Sequence, residues 1–205
     1  HWQELDEITF AEKLTEYRRE NKYFTSVSFE TICGYAEHGA IVHYQANSDS
    51  AMAISDQSCL LLDSGGQYRC GGTTDITRVF HFGCPTQQQC EYYTLVLKGH
   101  VNLAMAEFAP GTSGKDLDTL ARAPLLAAGL EYGHGTGHGV GSYLSVHEGP
   151  HGVTPINEVP LLPGMVLSNE PGVYVTGEFG IRIENVVLVT ESSADASMHC
   201  FETLT

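Results

Sequence analysis

Four carboxylates stand in or beside the most apolar runs of this chain, and any fold that buries those runs must also accommodate the charges. Leu60-Leu61-Leu62 ends in Asp63, and Asp75 follows twelve positions later in Gly71-Gly72-Thr73-Thr74-Asp75-Ile76. Met165-Val166-Leu167-Ser168-Asn169 runs into Glu170-Pro171-Gly172, and Ile181-Arg182-Ile183 runs into Glu184-Asn185-Val186. Glycines 65, 66, 71 and 72 can turn the chain between the two aspartates, so a hairpin brings their carboxylates together; taken alone, Asp beside Gly is also ordinary turn chemistry. Arg182 offers an ion pair to one carboxylate. It cannot neutralise four.

A second segment narrows the reading. Tyr132-Gly133-His134-Gly135-Thr136-Gly137-His138-Gly139-Val140-Gly141, followed by His147-Glu148-Gly149-Pro150, sets three histidines among glycines. Glycine weakens any helix or strand it interrupts, so here the backbone must approach something closely. A phosphate-cradling loop is the rival, but the pattern is neither GxGxxG after a strand nor a P-loop with its Lys.

Two like charges about 4 Å apart repel by roughly 4 kcal/mol at an effective dielectric of 20. Four converging carboxylates therefore protonate or splay unless cations sit among them. Two divalent ions held by four carboxylates and one imidazole meet that requirement. The oxygen-rich set favours Mn²⁺ foremost, with Co²⁺, Fe²⁺ or Zn²⁺ also compatible, and excludes a thiolate site.

Composition bounds the partners. A formal charge of −15 with only ten Lys and Arg leaves little to neutralise nucleic acid or an anionic membrane, and no apolar run reaches the length of a membrane span. The six cysteines (33, 59, 70, 84, 90 and 200) form no CxxC pair, and Cys59 lies in an apolar run, so free thiols in a reducing, cytoplasmic setting are expected. The first residues, HWQELDEITF, have neither the form of a signal peptide nor an initiator Met and read as a cut piece of a longer protein. Without a linker, low-complexity tract or repeat, residues 1–205 read as a single domain.

Periodicity predicts helices over Glu7 to Arg19, from Pro85-Thr86 through Phe108 to a stop at Pro110-Gly111, and from about Lys115 to Ala128. Strands are expected over Ile41 to Tyr44, Cys59 to Asp63, Thr74 to Phe82, Met165 to Ser168 and Ile181 to Val189. The interleaving, with hairpin-like pairs first, indicates an α+β fold with a largely antiparallel sheet and helices covering one face.

DSGGQY, GGTTDITR, HGTGHGVGSYLSVHEGP, NEPGVY and GIRIENV resemble the signatures of the pita-bread metallopeptidases, which include methionine aminopeptidase, prolidase and aminopeptidase P, and are most similar to the cytosolic eukaryotic Xaa-Pro aminopeptidase type. The resemblance covers nearly the whole chain. It implies a curved, mostly antiparallel sheet and two metal ions, with Asp63 on one, Asp75 and Glu184 bridging both, and His138 and Glu170 completing the other. His43, His134 and His147 would line the substrate pocket, with His43, Tyr44 and His134 shaping the part that takes the proline ring, and Arg182 would orient the bridging carboxylates or Tyr partners. The Asp63 to Asp75 interval is one residue longer than the eleven expected, at Arg69-Cys70, which a longer hairpin tip would absorb.

The implied reaction is hydrolysis of the bond between a free N-terminal residue and a following proline by a hydroxide activated between two ions, on peptides with proline second. Glu170 would shuttle a proton to the leaving nitrogen, and His147 or His134 would hydrogen-bond the carbonyl oxygen. Prolidase, acting on dipeptides, is the alternative within the enzyme class. A non-catalytic peptide- or histone-binding module is the alternative outside it, although such modules typically lose metal ligands. The family also implies further N-terminal domains and a homodimer for the full-length protein.

Overall fold

A computed structural model describes residues 5–205 of the chain. Asp6 caps the first helix, α1 (Glu7–Arg19), by accepting the Thr9 backbone N–H at 2.7 Å, while the Thr9 hydroxyl returns to the Asp6 N–H. Strands β1 (Phe24–Val27) and β2 (Ile32–Tyr35) follow, then a 3₁₀ turn over Ala36–Ala40. Next come β3 (Cys59–Ser64), β4 (Gly66–Tyr68), β5 (Gly72–Thr73) and β6 (Ile76–His81). Helix α2 (Gln87–Ala104) is capped by Thr86 and leads through β7 (Glu107–Phe108) to α3 (Gly114–Ala127). Pro124 inside α3 leaves the Leu120 carbonyl without its usual donor, and the Asn102 amide of α2 supplies one at 3.4 Å. The chain closes with β8 (Gly137–His138), β9 (Gly152–Val153), β10 (Val166–Asn169), β11 (Gly172–Val175), β12 (Phe179–Arg182), β13 (Asn185–Glu191) and β14 (His199–Thr203).

The sheets are β2-β3-β6, β1-β4-β5, β10-β13-β14-β7, β11-β12 and β8-β9, and the ladders among the described residues run antiparallel. This is the α+β, antiparallel pita-bread architecture expected. Phe10 and Leu14 of α1 pack on Cys33, Tyr35, Leu60 and Leu62 of the first sheet. Val96 of α2 and Leu125 of α3 meet Val173, Phe179 and Ile181. Further along, Leu103, Leu117 and Ala121 close over Leu167, Val187 and Phe201. No helix among the described residues is long and apolar enough to cross a membrane.

Three element expectations are corrected. Ile41 to Tyr44 is a turn and not a strand: the Tyr44 N–H bonds the Ile41 carbonyl at 3.0 Å, and Tyr44 is buried as a core residue. The second helix stops at Ala104, well before Pro110, because Phe108 is drawn into a strand opposite His199 and packs on the Phe201 ring. The single strand expected over Ile181 to Val189 is two, parted at Ile183-Glu184 because each half pairs with a different sheet.

Candidate metal centre

The parting of the strands places the glutamates. The β10-β13 ladder ends at Asn169 opposite Asn185, and the β11-β12 ladder starts at Gly172 opposite Arg182. Glu170-Pro171 and Ile183-Glu184 therefore face each other across the gap between two sheets. Pro171 has no N–H to continue a ladder, and its carbonyl accepts from the Ile183 N–H at 3.3 Å. Glu184 N–H reaches the Thr77 carbonyl at 3.2 Å, which ties the gap to β6, and Glu170 N–H reaches the Thr136 carbonyl at 2.7 Å, which ties it to the glycine-rich segment. Asp63 lies opposite Thr77 in the β3-β6 ladder, and Asp75 immediately precedes β6. Between the aspartates the chain turns at the exposed β4-β5 tip, Arg69-Cys70-Gly71, where Gly71 takes φ +106°, and the β3-β6 register beside the cavity is uninterrupted.

Asp63, Asp75, His138, Glu170 and Glu184 line one cavity of about 460 Å³, together with His43, His134, His147 and Arg182. One carboxylate oxygen each from Asp75 and Glu184 and one ring nitrogen of His138 lie within 4.8 Å of one another, close enough to hold an ion. His138 Nε2 is 3.3 Å from Asp75 Oδ2 and 3.2 Å from Glu170 Oε1, while its Nδ1 lies 2.9 Å from the Gly139 carbonyl. Donation from Nδ1 to that carbonyl turns Nε2 toward the two carboxylates, where it carries a proton or, once that proton is lost, offers a lone pair to a cation. Arg182 Nη2 donates to Asp63 Oδ2 at 2.7 Å, its Nη1 to the Tyr174 hydroxyl at 2.8 Å, and its Nε to Thr77 Oγ1 at 3.2 Å. Asp63 Oδ1, buried, has no hydrogen-bond partner.

The electrostatics record a deficit of positive charge. Burial pushes the Asp63 carboxyl up to about 6, with Asp75 and Glu170 adding to the rise and Arg182 opposing it. Burial first, then the neighbouring carboxylates, pushes Glu184 well above the usual carboxylate range. Burial alone would lower His138, but Asp75 and Glu170 outweigh it and hold the imidazolium up to about 11. A proton on His138 thus stands where the carboxylates require a cation. The residues fit a pair of divalent ions: the donors are carboxylate oxygens and one imidazole, the lining contains no cysteine, and a buried carboxylate oxygen is left unpartnered.

The three further histidines reach the same cavity by different routes. His134 is engaged at both nitrogens, Nδ1 to the Gly135 carbonyl at 2.8 Å and Nε2 to the Tyr174 hydroxyl at 2.7 Å, and burial lowers its pKa. His147 is exposed, stands edge-on to the His138 ring at 4.3 Å between centroids, and makes no hydrogen bond within the described residues. His43 is also exposed on the cavity wall. Tyr44, expected beside it, does not line the cavity: its hydroxyl donates to Glu7 Oε2 at 2.9 Å and its ring stacks on His38.

Some supporting residues were not singled out from the sequence. Thr77 Oγ1 donates to Glu184 Oε2 at 2.8 Å, and Ser168 Oγ donates to Glu170 Oε1 at 2.8 Å. Each lies two positions from an acidic residue of interest, a spacing that places strand side chains on one face and was the available signal. Arg122 of α3 had no such signal. It pairs with Asp118 at 2.6 Å and donates to the carbonyls of Tyr132 and His134 at 2.8 and 2.7 Å, clamping the histidine segment from behind.

Residues 3–191 match the model of metallopeptidase family M24. The chain is 51% identical over 191 residues to the probable Xaa-Pro aminopeptidase P of Sclerotinia sclerotiorum, covering 92% of this chain and 32% of that protein. It is 50% identical to the protein of the same description from Metarhizium acridum, covering 96% of this chain and 32% of that one. Among solved structures, it superposes with TM-score 0.92 and 40% identity on the X-prolyl aminopeptidase of Caenorhabditis elegans, described as a cytosolic enzyme with a di-nuclear active site, over 98% of this chain and 33% of that one. The prolidase of Pyrococcus furiosus superposes with TM-score 0.83 and 31% identity, over 96% and 54%. The chain spans about a third of the length of the curated relatives it matches. With a family model covering nearly all of it and the fold in agreement, the chain belongs to metallopeptidase family M24.

Proposed function

We propose that this chain forms the catalytic centre of a metal-dependent aminopeptidase that removes an N-terminal residue preceding proline. The observation that carries the reading is the convergence of Asp63, Asp75, His138, Glu170 and Glu184 on one cavity with too little positive charge to balance them and one buried carboxylate oxygen unpartnered. These five residues would hold two divalent ions, Mn²⁺ foremost. When bound, the ions supply Lewis acidity and lower the pKa of water for attack on the carbonyl carbon.

The chain's own groups supply the rest. Glu170, oriented by Ser168 at Oε1 and facing Arg182 Nε at 4.0 Å from Oε2, accepts the proton of the attacking water and passes it to the leaving proline nitrogen, which cannot depart unprotonated. His147 donates to the carbonyl oxygen as charge develops there. His134 is less suited to that role. Arg182 already donates to the Tyr174 hydroxyl, so the hydroxyl hydrogen goes to His134 Nε2, and neither ring nitrogen is left to donate into the cavity. His43 and His134 instead form walls against the substrate. The free cysteines and the cytosolic C. elegans relative support a cytoplasmic setting.

The test is hydrolysis of Xaa-Pro-Pro peptides by full-length, Mn²⁺-loaded protein, compared with Glu170→Ala carrying the same metal content. We expect turnover to fall by a factor on the order of 10² to 10⁴; turnover left intact would defeat the scheme. Likeness to prolidases makes the dipeptide reading the second one to check. Cleavage of Xaa-Pro alone, without activity on longer peptides, would favour it.

A further inference from the structure

His147 makes no hydrogen bond among the described residues; its loop is held locally, Glu148 N–H donating to the Gly139 carbonyl at 2.8 Å and Gly141 N–H to the Ser145 carbonyl at 3.0 Å, and is also fastened from a distance. Ser142 to His147 passes over the β4-β5 hairpin, whose residues lie some seventy positions earlier. Leu144 is gripped at both main-chain groups: its carbonyl accepts from Gln67 Nε2 at 2.6 Å, and its N–H donates to Thr73 Oγ1 at 3.3 Å. Thr73 Oγ1 in turn donates to Gln67 Oε1 at 2.8 Å, which orients the Gln67 amide so that its NH₂ faces the loop. At the tip, the Ser142 hydroxyl donates to the Gly71 carbonyl. Between these anchors Tyr143 takes φ +55°, a left-handed conformation that a side chain this large adopts only when its surroundings impose it.

We propose that the β4-β5 hairpin is a brace for the His147 loop, and that Gln67 and Thr73 are positioning residues through which the chain between Asp63 and Asp75 sets where the His147 imidazole stands. The same hairpin joins the two aspartates of the centre, so a single element ties the metal-facing carboxylates to the group that meets the substrate carbonyl. This rests on the peptidase reading above and on His147 as the carbonyl donor. It assigns the side chains of Gln67 and Thr73, neither of which lines the cavity's acidic floor, a part in the reaction.

The test uses full-length protein loaded with Mn²⁺ and two arms. In the first, hydrogen exchange of the 142–147 amides is compared between wild type and Gln67→Ala/Thr73→Val; exchange should quicken about tenfold, and Thr73→Ser should restore half the brace without the methyl group. In the second, kcat on an Xaa-Pro-Pro peptide should fall about tenfold in the double variant with KM little changed and metal content equal to wild type. On a His147→Ala background the same two substitutions should cost nothing further, since they act through that imidazole. Unchanged exchange, an additive loss on the His147→Ala background, or a loss of bound metal that accounts for the fall in rate would each overturn the proposal. A wild type that hydrolyses no peptide would defeat the functional reading instead, and the exchange arm would still decide the brace.

Discussion

Arg182 holds a position that neither charge nor size alone explains. The residue is 2% exposed, and its guanidinium divides its donors among Asp63, Tyr174 and Thr77. A planar fork serves three directions at once, which an ammonium on a flexible stem cannot do. Replacing it with Met leaves Asp63 buried beside Asp75 and Glu170 with no permanent cation, and breaking a buried pair from one side costs about 3–5 kcal/mol. Because Arg182 also fixes the Asp63 carboxylate in place, we expect Arg182→Met to unfold at correspondingly lower denaturant and, despite the positive charge it removes, to bind less Mn²⁺ through the misplaced Asp63, with Arg182→Lys intermediate in both. Equilibrium unfolding with metal analysis checks this, and a Met variant with wild-type stability and metal content would show that the bound ions alone compensate Asp63. Glu7 is the counter-example for reading single residues from sequence. It stands as an ordinary first-turn acid of an amphipathic helix, yet it is fully buried and accepts from Tyr35 N–H, His38 Nδ1, Tyr44 OH and Met52 N–H at 2.7 to 2.9 Å. Nothing local to α1 announces partners 28 to 45 positions away.

At the scale of elements, the glycine-rich segment is built by contact and tolerates side chains unevenly. A Cβ on Gly137 would lie 1.9 Å from the Ser168 carbonyl oxygen, so β8 would have to leave β10, carrying His138 away from Glu170. Gly133, four positions earlier, has nothing within 4 Å of that point. Gly137→Ala should therefore lower the melting temperature by several degrees and abolish hydrolysis, while Gly133→Ala should leave both near wild type; thermal melts of the two variants decide it, and equal tolerance would mean the close approach is not structural. The sequence announced this segment because glycine at alternate positions has no local rationale. It announced Cys59 to Asp63 as a strand because an apolar run admits little else. It misled at Ile41 to Tyr44, where an apolar pattern served a turn clamped by Glu7, and at Ile181 to Val189, where a continuous apolar run conceals a change of partner sheet. The grouping of the acidic residues was legible from the resemblance of their motifs, and charge repulsion added that such a grouping requires cations. Which histidine is free to donate was not, because that depends on a Tyr174 hydroxyl reached from forty positions away.

Across the whole molecule, charge links stability to the centre. The chain carries −15 with ten Lys and Arg, and the cavity joins carboxylates from the β3-β6 ladder and from the gap between the β10-β13 and β11-β12 ladders, with Arg182 as the permanent cation on its wall. Any ion that binds this arrangement only when it is assembled stabilises the fold by mass action, about 4 kcal/mol when present at a thousand times its dissociation constant. For a chain of this length that corresponds to a shift of roughly 10 °C in melting temperature. A chelator should therefore lower the melting temperature of the Mn²⁺-loaded protein by about that amount, and returning Mn²⁺ in excess of the chelator should restore it. Sodium chloride separates this from general self-repulsion of an acidic surface, because salt screens exposed charges far better than buried ones. If about 0.5 M salt restored the melting temperature in chelator as fully as Mn²⁺ does, the lost stability would belong to the surface charge. If salt recovers little of it, the ions act where Asp63, Asp75, His138, Glu170 and Glu184 meet, and the repulsion among those carboxylates is what their binding relieves.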